Sequence, residues 1–355
     1  MRKLLMPLSL IYGIITTIRN ILFDVGILKS KSFELPIVGV GNLSMGGTGK
    51  SPHVLYIANL FKDERKLAIL SRGYGRKTKG YKNVEINNSA REVGDEPLQY
   101  KQQLNEVKVA VCENRVEGVE SILKESIGTN LILLDDAFQH RYLKPTLNLL
   151  ITDINSLFCD DFVIPAGNLR ERKIGAKRAH AVIVSKTPLN FEIERRNQIT
   201  ARIKRYGIEN IFFSYMHYRE ELTFLSGGIV NLGQIKEYAV FLVAGIAKPQ
   251  PLIDFVSGSS KRLEFELFKD HHTFTVGDII HLKKKFDKFA AKQADKKIIL
   301  TTRKDAVRLM IPEILALIKD LPVAIIDIEV KFHSYGSITF DQYIQNHVKT
   351  YSGIS

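Results

Sequence analysis

Lys50 and Ser51 close the run Ser44-Met45-Gly46-Gly47-Thr48-Gly49-Lys50-Ser51. A glycine-rich turn that ends in lysine and a hydroxyl at a helix start is suited to a polyphosphate. Backbone N–H groups and the helix N-terminus surround the anion. The ammonium then reaches the β- and γ-phosphates and the hydroxyl reaches a magnesium ion. The pattern departs from G-x4-G-K-[ST] at its first position, where Ser44 stands for glycine, with Gly46 and Gly47 supplying freedom nearby. A plain glycine-rich turn gives no reason for Gly-Lys-Ser at the head of a helix.

A second carboxylate signal complements it. The apolar run Leu131–Leu134 ends in Asp135-Asp136-Ala137-Phe138-Gln139-His140-Arg141. An aspartate directly after such a strand occupies the position that reaches magnesium in phosphate-loop enzymes. Elsewhere, Gly94-Asp95-Glu96-Pro97 sets two carboxylates between a glycine and a proline. A helix N-cap and a general base or metal neighbour explain it equally well. The loop Ser71-Arg72-Gly73-Tyr74-Gly75-Arg76 offers guanidinium forks, which suit phosphate, and a tyrosine able to stack on a sugar. Gly167-Asn168-Leu169-Arg170-Glu171-Arg172 is a second arginine-bearing loop. The pair His271 and His272 lacks the further ligands of a metal site.

These residues need a scaffold, and the hydrophobic pattern supplies one. Strand-like runs at Leu35–Val40, Leu67–Leu70, Val107–Val111, Leu131–Leu134, Leu147–Thr152 and Ala181–Ser185 alternate with helix-compatible stretches. That order predicts an α/β fold, a P-loop NTPase-like and mostly parallel sheet with helices on both faces. Ligands bind such sheets beyond the carboxyl ends of the strands. After the aromatic stretch around 211–224, further runs at Tyr238–Ala244, Arg262–Leu267, Lys297–Thr302 and Pro322–Ile326 predict a smaller α/β second domain. The expected division is an N-terminal helix over 1–28, a phosphate-loop core over 29–210 with a helix at 333–355 packing back, and linker strands with the smaller domain over 211–332.

Arg2 and Lys3 precede a stretch without charge from Leu4 to Ile18, shorter than the roughly twenty residues of a membrane span. At about 100° per residue, Leu4, Leu8, Ile11, Ile14, Ile15, Ile18, Ile21, Leu22 and Val25 share one face. Arg2, Ser9, Gly13, Thr16, Asn20 and Asp24 share the other. An amphipathic helix of this kind lies in a membrane interface. A core-packed helix is the alternative, and a cleavable leader lacks a convincing cleavage site. The 355 residues carry 51 basic and 38 acidic side chains, a formal net charge of +13, which favours anionic partners. No zinc-finger, basic-zipper or RRM-like signature argues for nucleic acid. Two cysteines, Cys112 and Cys159, fit a reducing compartment.

Taken in order, the chain resembles the tetraacyldisaccharide 4′-kinases, the lipid A 4′-kinases of Gram-negative bacteria. The matching elements run from Gly41-Asn42-Leu43-Ser44 through Lys50-Ser51-Pro52, Ser71–Gly75, Gly94–Pro97 and Asp135–His140 to Asn168–Glu171, Asp270-His271 and Lys304-Asp305-Ala306-Val307. The resemblance implies transfer of the ATP γ-phosphoryl to the 4′-hydroxyl of a tetraacyldisaccharide 1-phosphate, giving lipid IVA, with Mg²⁺, on the cytoplasmic face of the inner membrane. It further implies Asp95 as base, assisted by His271. Ser51 and Asp135 are then the expected Mg²⁺ ligands, with Glu96 and Asp136 as second candidates. Arg72, Tyr74, Arg115, Gln139, His140 and Arg170 are candidates for the acceptor sugar and its phosphate. No obligate protein partner is expected. Ala137 stands where a glycine is frequent in the family, and Arg303 replaces a common acidic residue. A membrane-recruited ATPase or GTPase switch would share the phosphate loop but has no use for the Asp95 and arginine loops. A kinase for a soluble acceptor has no use for the N-terminal helix.

Overall fold

The computed structural model describes residues 2–270, 272–291 and 296–352. His271, the expected partner of Asp95, lies outside the described residues. The chain divides into two units, residues 1–86, 100–216 and 330–355 in the first and 87–99 and 217–329 in the second.

In the first unit the short β-branched runs form β1 (Ile37–Gly41), β2 (Leu67–Ser71), β3 (Lys82–Asn83), β4 (Lys108–Val111), β5 (Leu131–Asp135), β6 (Leu147–Asp153), β7 (Ala181–Ser185) and β8 (Asn210–Tyr218). The sheet order is the strand Ile328–Phe332, then β8-β7-β6-β1-β5-β2-β4-β3. β1 pairs in parallel with β5 and β6, while the edge strand β3 runs antiparallel to β4. β1, β2, β5, β6 and β7 are buried along their length, because helices cover both faces of the sheet. Val119 and Ile122 of one helix join Ile37, Leu70, Ile132 and Leu134 in one cluster. Ile199 and Ile203 of another join Leu150, Val182 and Val184 in a second. The central place of β1 sets the loops after β1, β5, β6 and β7 side by side.

The second unit contains β9 (Glu221–Phe224), β10 (Ile229–Asn231), β11 (Tyr238–Ala244), β12 (Arg262–Leu267), β13 (Lys296–Thr302) and β14 (Val323–Ile326), in the order β10-β9-β14-β13-β11-β12. β11 to β14 are parallel, and β9 and β10 form an antiparallel margin. Ile279, Leu282, Phe286 and Phe289 of the helix Val276–Ala291 pack on Phe241, Val243 and Ile299. The division departs from the expected one at 87–99, a stretch expected in the core. Within that stretch, the Asp95 carboxylate is ion-paired with Arg308 of the same unit at 2.6 Å.

Helix α1 (Met6–Asp24) follows a short turn at Arg2–Leu5. Its polar side packs on the first unit. Ser9, Gly13 and Phe23 are buried, whereas Leu8, Ile11, Ile14, Ile15 and Ile18 are each more than half exposed. The core-packed alternative is therefore wrong for this chain: a core helix would turn those five side chains inward. Arg19 turns toward the protein. Its guanidinium donates to the Gln139 carbonyl at 3.3 Å and lies over the Phe23 and Tyr142 rings.

Candidate active site

The loop after β1 opens helix α2 (Lys50–Phe61) through Gly49, whose φ of +89° is a left-handed conformation that glycine adopts freely. Met45, Gly46 and Gly47 are exposed, and Lys50 and Ser51 are half-buried. The first turn of α2 leaves N–H groups without intrahelical acceptors, which an anion can satisfy. Ser44 is buried in a bridge with Leu169 and has no positive φ. The glycine usual at this position is thus not required by the backbone. The root of the loop is closely fitted, as a Cβ on Gly41 would fall 2.7 Å from the Phe138 backbone nitrogen.

Remote residues hold this loop. The Met45 N–H donates to the Asn168 carbonyl and the Arg170 N–H to the Leu43 carbonyl, both at 2.7 Å. Ser185 Oγ donates to the Thr48 carbonyl at 2.7 Å. Lys186, with a left-handed φ of +60°, donates to the Gly47 carbonyl and to Asp153. Inside the helix, His53 Nδ1 donates to the Gly49 carbonyl at 2.7 Å, and Nε2 accepts from Ser214 Oγ at 2.9 Å. The carbonyl can only accept, which sets the tautomer. Burial lowers the His53 pKa to about 4, so the ring is neutral. Neither His53 nor Lys186 stands out in the sequence, because their partners lie 161 and 139 residues away.

The two aspartates after β5 differ sharply. Asp135 is 1% exposed and pairs with Val40 of β1, and its Oδ2 accepts from Ser71 Oγ at 2.9 Å. Asp136 takes the turn's left-handed φ, +49°, so Ala137 is not the residue that needs a glycine-like backbone. The Asp136 carboxylate meets Arg170 at 2.9 Å and Lys50 at 3.5 Å. Burial opposes its ionisation, but Lys50 and Arg170 outweigh that and hold the carboxyl below its ordinary range. In this structure the carboxylate, a second candidate for the metal, neutralises the two cations.

Among the expected acceptor residues, Arg115 is misplaced for that role. It is 1% exposed and donates to the carbonyls of Cys112, Glu113 and Asp135 at 2.8, 3.3 and 3.2 Å. It braces the end of β5. His140 donates from Nε2 to the Glu113 carbonyl at 3.0 Å, and burial lowers its pKa. Arg72 and Tyr74 are exposed, Tyr74 by 78%. Gln139 connects several parts. Its Nε2 donates to the Asn42 carbonyl at 2.9 Å and to Glu171 at 3.1 Å, and its Oε1 accepts from Arg170 at 3.4 Å. Glu171 in turn accepts from Asn20 of α1 at 2.6 Å.

Helix α1 adds further polar ties along its length. The Ala166 N–H donates to Ser9 Oγ at 2.8 Å, Arg141 donates to the Asn20 carbonyl at 2.7 Å, and Arg141 pairs with Asp24 at 2.6 Å. Beside α1 lies an open cavity of about 350 Å³ lined by Met6, Leu10, Phe162, Val163, Leu169 and Ile174, among others.

In the second unit Asp95 is the first residue of the helix Asp95–Gln103. Its Oδ2 accepts from Arg308 Nε at 3.1 Å and Nη2 at 2.6 Å. Arg308 Nη1 also meets Asp305 Oδ1 at 3.2 Å and the Gly245 carbonyl at 3.4 Å. Asp305 Oδ2 accepts from the Gly245 N–H at 2.9 Å and from Thr302 Oγ1 at 2.7 Å. Glu96 follows Asp95 and is half-buried. His272 pairs with Asp278 at 3.0 Å and stacks on Phe268 with centroids 4.6 Å apart, which commits it to a local role. Arg303 pairs with Asp327 at 3.1 Å, and Lys304 with Asp270 at 2.9 Å.

Comparison with known proteins bears on this geometry. A family model described as tetraacyldisaccharide-1-P 4′-kinase matches residues 1–349. A tetraacyldisaccharide 4′-kinase of Flavobacterium johnsoniae is 40% identical over 323 residues, covering 91% of this chain and 92% of that protein. One of Phocaeicola vulgatus is 38% identical over 351 residues, covering 98% and 95%. The crystal structure of an LpxK from Aquifex aeolicus in complex with ATP superposes with a TM-score of 0.76 at 29% identity, covering 99% of both chains.

Proposed function

The chain belongs to the tetraacyldisaccharide-1-P 4′-kinase family, ATP-dependent phosphotransferases of lipid A biosynthesis, and on that premise we propose how its residues divide the reaction. The observation that carries the assignment is the loop from Ser44 to Ser51, entering α2 through left-handed Gly49 with Asp135 beside β1. The Gly46–Gly49 backbone and Lys50 hold the β- and γ-phosphates of ATP. Phosphoryl transfer asks for positioning and charge neutralisation more than for covalent chemistry by the protein.

Ser51 and Asp135 offer the hard oxygen donors that Mg²⁺ prefers. Among the described residues no group of three or more His, Cys, Asp or Glu forms a metal cage. That fits an ion held by one or two protein oxygens together with phosphates and water. When bound there, Mg²⁺ would neutralise charge on the phosphate oxygens. Glu96 is the remaining carboxylate to test as a contributor. Asp95 takes the proton of the 4′-hydroxyl as the oxygen attacks the γ-phosphorus and the bond to the β-phosphate oxygen breaks, releasing ADP. His271 assists Asp95 in this reading. Arg170, Gln139, Arg72, Tyr74 and His140 face the acceptor, whose 1-phosphate suits the guanidinium groups.

The exposed apolar side of α1 is assigned to the bilayer. Polar ties at Ser9, Asn20 and Asp24 hold the helix along the body of the first unit. A helix fixed in this way lies on the membrane instead of crossing it. The cavity beside α1 suits an acyl chain of the acceptor. The position is the cytoplasmic face of the inner membrane, where ATP is available. The test is incubation with γ-labelled ATP, Mg²⁺ and tetraacyldisaccharide 1-phosphate in detergent. Label should appear on the acceptor, and release of free phosphate without acceptor labelling would overturn the reading.

A further inference from the structure

We propose that Arg308 is a positioning residue for the proton transfer, fixing the carboxylate of Asp95 from a buried polar scaffold. The inference rests on Asp95 being the base. Arg308 is 6% exposed and approaches a single carboxylate oxygen with two nitrogens, Nε at 3.1 Å and Nη2 at 2.6 Å. Its remaining terminal nitrogen is held by Asp305, which is fully buried, and by the Gly245 carbonyl. Asp305 is itself fixed by the Gly245 N–H and Thr302 Oγ1. The guanidinium plane is therefore defined from behind before it meets Asp95. A planar fork with permanent charge gives direction as well as attraction, which an ammonium on a flexible stem does not.

The arrangement has two consequences for a base. It restricts the rotation of Asp95 about its own side-chain bonds, and a misplacement of about 1 Å is enough to cost a hundredfold in rate. It also favours the carboxylate over the acid, since an adjacent arginine stabilises the charged form. The charged groups described around Asp95 are Arg308 from the facing helix, Asp305 behind it and Glu96 next along its own helix. Lys304 and Asp270 pair with each other. Arg308 is 213 residues from Asp95 in sequence, and no local pattern announces the pair.

The test compares Arg308→Gln, Arg308→Lys and Asp95→Asn in the full chain, with thermal melting as the check on folding. Arg308→Gln should lower kcat about tenfold or more with little change in KM for ATP. The acidic limb of its kcat/KM profile should move to higher pH by about one unit or more. Arg308→Lys keeps a cation against Asp305 and serves if the glutamine variant does not fold. It should recover part of kcat and place the acidic limb between the other two. A purely structural role would change melting and active fraction without moving that limb. Parent-like kcat and pH profiles in folded Arg308 variants, with Asp95→Asn inactive, would overturn the inference and leave the base assignment intact. Normal turnover by Asp95→Asn would instead overturn the base assignment and the inference with it.

Discussion

The two units each hold one of the proposed site groups, but they assemble them differently. In the first, the phosphate loop is one continuous stretch, and most of its chemistry lies in the main chain and one lysine. In the second, Asp95 is fixed by Arg308, backed by Asp305, Gly245 and Thr302, drawn from two segments remote from it in sequence. A contiguous motif declares its purpose in its own spacing. An assembled one depends on the fold to bring its parts together.

The largest effects test the side of the comparison that stands on one residue. Lys50→Ala should reduce kcat/KM by about 10³- to 10⁵-fold, through lost stabilisation of the transferring phosphoryl charge. Single-turnover transfer from labelled ATP measures it, and near-parental turnover would show that the loop does not hold the donor. Asp95→Asn should cost about 10²- to 10⁴-fold in kcat, with ATP affinity by equilibrium binding unchanged. A matching loss of ATP affinity would mean that Asp95 belongs to the donor site, and the contrast between the units would break.

His53 sharpens the comparison, because the contiguous loop also leans on a distant partner. Its folded pKa of about 4 lies below its ordinary 6.5. The neutral ring therefore contributes stability that is complete above about pH 6.5 and is lost as pH falls toward 4. The difference is on the order of 3 kcal/mol. His53→Gln should show a smaller drop in denaturation midpoint between pH 7 and pH 4 than the parent. Parallel curves for the two proteins would remove His53 as an acid-sensitive support.

The smallest effect concerns α1. Leu8, Ile11, Ile15 and Ile18 each stand to gain about 1 kcal/mol from partial burial in lipid. Ile11→Glu or Ile15→Glu should weaken co-flotation with anionic vesicles about tenfold, while turnover of a detergent-dispersed acceptor is retained. Unchanged flotation would remove the exposed side of α1 as a membrane-binding surface.

How much of this was legible in the sequence follows from the same contrast. The alternating fold, the loop at Lys50 and Ser51, and the strand ending in Asp135 could be read because each is local. The two faces of α1 could be separated by periodicity. That its polar side would be the docked one depends on Ala166, Glu171 and Arg141, which only the fold brings near. Arg115 was misjudged for the same reason. A lone arginine reads as a surface cation until the carbonyls around the end of β5 are seen to enclose it. Asp136 read as a second candidate beside Asp135, and its left-handed backbone turns the two carboxylates to different neighbours.

The bonds through Gln139 carry one more consequence. Asn20 donates to Glu171, Gln139 donates to Glu171, and Gln139 donates to the Asn42 carbonyl at the root of the phosphate loop. A displacement of α1 by one turn, about 5.4 Å along its axis, exceeds the reach of the Asn20–Glu171 bond. The root of the loop and the seating of α1 are thus joined by a path of three hydrogen bonds that begins on a helix whose other side faces away from the protein.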